Sequence, residues 1–171
     1  MNIIEASQVL NNLGTFIAGC SALFGVILWK KKIKWDRQHN IVIEAVALLA
    51  KAKEAHFEWQ RYTLYPFVSL CTEGESSHIA ERPVRESKAL EVINSLDILL
   101  TTLYKIDSFG ESSGDFSGYG TALEQMFKRY NYEINEALDN KNKYKAPTVL
   151  EFPYQVNNKF EELESKLRSL L

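Results

Sequence analysis

The chain of 171 residues carries 20 Lys and Arg against 22 Asp and Glu, a formal net charge of −2, and 46% of it is hydrophobic. Charge is unevenly spread: beyond residue 35 stand 16 basic and 21 acidic residues, net −5, which makes that part a poor general nucleic-acid binder, since phosphate neutralisation needs a basic surface. Two cysteines in unlike settings, Cys20 and Cys71, argue against a disulfide framework and for a reducing compartment.

Residues 1–12 read as a short external N-terminus, and residues 13–29 as a transmembrane helix. Ala6 to Trp29 holds no charge, and from Leu13 nearly every residue is apolar or small. Seventeen residues at 1.5 Å each give about 26 Å, near the thin end of a hydrocarbon core. Residues 30–37 form a basic juxtamembrane segment with Lys30, Lys31, Lys32, Lys34 and Arg37, flanked by Trp29 and Trp35. Indole rings favour the headgroup boundary, and a lysine block marks the cytoplasmic side. The expected location is therefore the cell (inner) membrane, single-pass, with the N-terminus outside and the C-terminal domain cytoplasmic. A cleaved signal peptide would need a positive n-region, which Met1–Gln8 lacks. A buried helix of a soluble protein would not need the basic block or the flanking tryptophans.

This segment sorts its residues by size. At about 100° per residue, Leu13, Phe16, Ile17, Cys20, Leu23, Phe24, Ile27 and Leu28 fall on one side. Gly14, Ala18, Ser21, Ala22 and Gly25 fall on the other. An anchor has no need of such sorting, whereas a small face lets a second backbone approach closely. The face predicts a homo-oligomer or docking on a partner membrane protein. A pore lining is the lesser reading, because the inner half of that face is apolar and carries no ring of charge.

Residues 38–171 predict an all-α cytoplasmic bundle of about four helices. The first begins near Trp35 and ends at Tyr65 before Pro66, with Ile41, Val42, Ala45, Val46, Leu48, Leu49, Ala52, His56, Trp59 and Thr63 in its stripe. No Pro or Gly separates it from the membrane segment, so the two can run on as one helix. The second spans about Val84 to Ile106, with Ala89, Val92, Ile93, Leu96, Leu99, Leu100, Leu103 and Ile106 in its stripe. Asp107–Gly120 reads as a flexible glycine-containing loop, and Thr121 with Glu124 as a capping box opening the third helix. Asn140–Pro153 reads as another loop, with Thr148–Phe152 apolar enough for a short strand between prolines. The last helix starts near Tyr154, and Val156, Phe160, Leu163, Leu167 and Leu170 form a narrow coiled-coil-like seam that could serve a partner.

Chemistry is not legible. His39, His56 and His78 make no i, i+3 or i+4 pair, so no metal is expected. His56, on an apolar face, reads as a core histidine with a hydrogen-bond partner. Cys71 has no local nucleophile signature, and Ser112 and Ser113 have no nucleophile elbow. Gly110, Gly114, Gly118 and Gly120 lack the G-K-[ST] ending of a phosphate loop. Lys141–Lys145 is a small basic patch that reads as solvated. No cofactor and no enzymatic activity are expected. The chain reads as a membrane-anchored helical interaction protein, an adaptor or regulatory subunit, with membrane lipids as its first partner. The alternative is a pore-forming or membrane-perturbing effector, of toxin or defence type, controlled by a partner.

Overall fold

A computed structural model describes residues 3–73, 79–109, 114–139 and 146–171, with side-chain surroundings for 15–71, 79–109, 114–139 and 154–171. The described residues are helical, with no strand among them. The chain divides into two compact units, Met1–His39 and Asn40–Leu171.

The first helix, α1, runs Ile3–Trp59. In the first unit its described side chains from Thr15 to Arg37 are exposed, apart from half-buried Cys20. In the second unit the predicted stripe is buried along its centre, at Val42, Ala45, Leu49, Ala52, His56 and Trp59, while Ile41, Val46 and Leu48 are half-buried at its margins.

Pro66 does not end this helical stretch. A π turn, Gln60–Leu64, follows α1 directly, and α2 then runs Tyr65–Glu73. The Tyr65 N–H donates to the Gln60 carbonyl, five residues back. Proline has no N–H for the Tyr62 carbonyl, and its ring would strike that oxygen in an ordinary α-turn. The wider turn absorbs both problems within one loop of the ladder. Leu64 and Phe67 are thereby carried into the core.

The second predicted helix is α3, Arg82–Asp107, which starts two residues earlier than Val84 because Pro83 suits the first turn. Its buried face begins one turn before the predicted stripe, at Arg85.

The third predicted helix also starts early. α4 runs Phe116–Asp139, so Thr121 and Glu124 lie inside it and form no capping box; Glu124 instead pairs with Lys128. Two carboxylates take over the cap. Asp107, the last residue of α3, accepts from the N–H groups of Phe116 at 3.0 Å and Ser117 at 2.8 Å. Asp115 accepts from the Gly118 N–H at 2.8 Å. Acceptors of negative charge suit a helix N-terminus on both hydrogen-bonding and dipole grounds. The expectation of a flexible loop to Gly120 is thus corrected: Gly118 and Gly120 are helical. Gly120 is buried, and a Cβ there would lie 2.8 Å from Leu103 Cδ1 and 3.0 Å from Leu100 Cδ1. The glycine sets how closely α4 approaches α3.

The last helix, α5, runs Ala146–Arg168, so 148–152 is helix and not strand, and Pro147 and Pro153 do not exclude it. The proposed partner seam is also corrected. Val156, Phe160, Leu163 and Leu167 are 0–2% exposed within the bundle's own core, and only Leu170 is exposed. A narrow seam at 4–3 spacing suits any close helix packing, and here α4 and the second-unit part of α1 occupy it.

Two outcomes test this packing. Gly120→Ala is expected to lower unfolding stability by about 1 kcal/mol although alanine is the better helix former, and Gly120→Val by more, because the added carbon overpacks Leu100 and Leu103. Leu163→Ala is expected to cost about 2–5 kcal/mol. Urea unfolding of the full chain in mild detergent reads both. A Leu163→Ala protein of unchanged stability would return that seam to a partner.

Candidate functional site

Two regions hold features that a purely structural helix bundle does not need. The first is the apolar stretch of α1 in the first unit. Phe16 is 71% exposed, Phe24 67% and Trp29 62%, and Leu23 and Leu28 are similarly bare. On the small face, Ala18, Ser21, Ala22 and Gly25 are exposed, and a Cβ built on Gly19 or Gly25 would meet nothing within 4 Å. Gly14 lies outside the residues with described side chains. Lys30, Lys31, Lys32, Lys34 and Arg37 are exposed along with Trp29 and Trp35, and Trp35 stacks on His39 with centroids 4.9 Å apart. Among the described residues no helix is long and apolar enough to cross a membrane. Cys20 and Cys71 are free thiols.

The second region is a groove of about 380 Å³ between α1 and α5 in the second unit. Its most buried lining residues are His56, Gln60 and Phe160, and Lys53, Glu54, Phe57, Asn157 and Glu161 complete its walls. Lys53 donates to Glu161 at 2.7 Å and to Glu164 at 2.5 Å. Burial works against the Lys53 ammonium, but these two carboxylates outweigh it and hold its pKa above the ordinary lysine range. Lys53 and then Arg168 hold Glu164 below the usual carboxylate range.

His56 is only 2% exposed and sits among aromatic rings. It stacks on Trp59 at 5.7 Å, meets Phe127 edge-on at 5.9 Å and lies 5.5 Å from Phe160. The expected hydrogen-bond partner is not found for Nε2, which is buried and unpartnered. Burial lowers the His56 pKa to about 4, so the ring is neutral at ordinary pH.

Sequence reasoning missed two polar features of this core. Trp59 Nε1 donates to Asn131 Oδ1 at 2.9 Å, and Asn135 Nδ2 donates to the same oxygen. Arg85, 3% exposed, donates to Asp139 at 2.7 Å, and Asp139 also pairs with Arg82 at 3.1 Å. Extending the α3 stripe back by four residues from Ala89 would have found Arg85. His78, Ser112, Ser113, Gly110 and Lys141–Lys145 lie outside the described residues. Among the described residues, no group of three or more His, Cys, Asp or Glu could hold a metal ion.

No known protein family, curated protein or solved structure matches the chain.

The buried histidine makes stability depend on pH. The unfolded chain protonates His56 near pH 6.5, whereas the folded chain resists until about pH 4. In between, the unfolded state binds more protons, so stability falls as the pH drops through that window. His56→Leu is expected to match the parent at pH 7 within about 1 kcal/mol. It should lose about 3 kcal/mol less than the parent on going to pH 4. The comparison uses urea unfolding at both pH values, with the carboxylate contribution common to both proteins. Equal losses would mean that His56 titrates normally.

Proposed function

We propose that the protein is a membrane-anchored helical interaction protein, an adaptor or regulatory subunit. On this reading it lies in the cell membrane with its N-terminus outside and residues 38–171 in the cytoplasm. The observation that carries the reading is the bare apolar stretch of α1. Phe16, Leu23, Phe24, Leu28 and Trp29 face away from their own chain on a helix that water would solvate poorly. Thr15–Trp29, the portion with described side chains, is fifteen residues, about 22 Å at 1.5 Å per residue. The apolar run in the sequence starts at Leu13 and brings the length to that of a thin hydrocarbon core.

The lysine block supports the orientation, and roughly 1 kcal/mol per lysine of attraction to anionic lipid would hold it at the surface. The small face from Gly14 to Gly25 supports self-association or docking on a partner's membrane helix, since small side chains let backbones meet. Because Val156, Phe160, Leu163 and Leu167 are occupied by their own bundle, any cytoplasmic partner must use the outer surfaces.

Carbonate extraction at pH 11 is expected to leave the full chain in the membrane pellet, and protease added from outside should spare the 38–171 domain. Release of the chain by carbonate would remove the anchor from this reading. In a membrane-helix association assay, Gly14→Leu, Ala18→Leu and Gly25→Leu together should reduce self-association at least tenfold. An unchanged signal would leave only the anchor. Collapse of membrane potential on expression would favour the effector reading instead.

A further inference from the structure

The groove between α1 and α5 is unexplained by anchoring or by helix association. We propose that it binds a small organic cation, an ammonium head on an apolar body, independently of the membrane reading. Its volume of about 380 Å³ lies at the small end of ligand-site volumes. Two polar side chains that line it, His56 and Gln60, are more than nine-tenths buried. His56 Nε2 is buried with no hydrogen-bond partner among the described residues, whereas buried polar atoms are as a rule partnered.

The charges choose the ligand. Lys53 is the one cationic side chain in the lining, and it is already held by Glu161 and Glu164. Glu54 has no ion-pair partner among the described residues, so the walls carry one uncompensated negative charge. An anion entering here would meet Glu54 and Glu161 with no free cation to receive it. A cation would meet a carboxylate and the rings of Phe57 and Phe160, and aromatic π electrons attract positive charge. Phe57 is 56% exposed, which leaves its ring open to a ligand at the wall of the groove. Asn157 and Gln60 supply amide groups to orient the ligand, and His56, neutral through burial, adds no repelling charge.

Trp59 stacks on His56 and so reports on the groove without a label. The full chain carrying Trp29→Phe and Trp35→Phe leaves Trp59 as its only tryptophan. In mild non-ionic detergent this protein is titrated with 2-phenylethylammonium, 2-phenylethanol and phenylacetate while Trp59 emission is followed. The ammonium compound is expected to give a saturable change with a millimolar or tighter midpoint, at least tenfold tighter than the alcohol or the acid. Glu54→Gln, at an exposed position, should weaken the ammonium compound about tenfold and leave the alcohol unchanged. Phe57→Ala should weaken both. A response that does not saturate, equal midpoints for the three compounds, or an ammonium midpoint untouched by Glu54→Gln would each overturn the proposal.

Discussion

The second unit depends on how one large ring is held. The Trp59 indole is fully buried, stacks on His56, meets Phe127 and Tyr130 edge-on, and donates its N–H to Asn131. Indole brings much apolar area into a core and also one donor that must be satisfied. Asn131 meets that need and, through Asn135, is itself fixed on α4. The ring therefore pins the second-unit part of α1 against α4 in one rotational setting. The neighbouring residues inherit that setting: Leu49, Ala52 and His56 lie on the same inner face, and Lys53 is placed beside α5.

The same pinning explains the groove. With Trp59 inward, His56 and Gln60 also face the interior, while Phe57 is left outside and Glu54 exposed. Helical periodicity alone produces this division, because 56, 59, 60 and 63 share one face and 54, 57 and 61 another. The π turn contains the last two polar inner residues, Gln60 and Thr63, and it lets the chain pass Pro66 without leaving the core.

Much of the bundle was legible from apolar spacing. The inner stripe of α1 and the face of α3 from Ala89 onward are buried along their centre lines, with Ile41, Val46, Leu48, Ile93 and Leu100 half-buried at the margins. Boundaries were less legible, and each miss has a local cause. Pro66 is absorbed by the π turn, and Asp107 supplies from another helix the cap that Thr121 appeared to offer. The α5 seam is a further lesson, since a 4–3 repeat reports that a helix is packed and not which chain packs it. The candidate groove was illegible because Lys53 and Glu161 stand 108 residues apart, and no sequence spacing records such a meeting.

That separation also orders events on the ribosome. Chains fold as they emerge from the N-terminus, and contacts between distant residues wait for both partners. The α3–α4 hairpin closes through Asp107 over only nine or ten residues, so it can assemble as soon as its own sequence is out. The inner face of α1, synthesised long before, has partners in α4 and, later still, in α5. Trp59 thus waits for Phe127, Tyr130 and Asn131 of α4, and Lys53 and His56 wait longer still for α5. For a nascent chain with a further apolar stretch immediately upstream, the interval before α5 arrives is the stage at which misassociation is the greatest hazard.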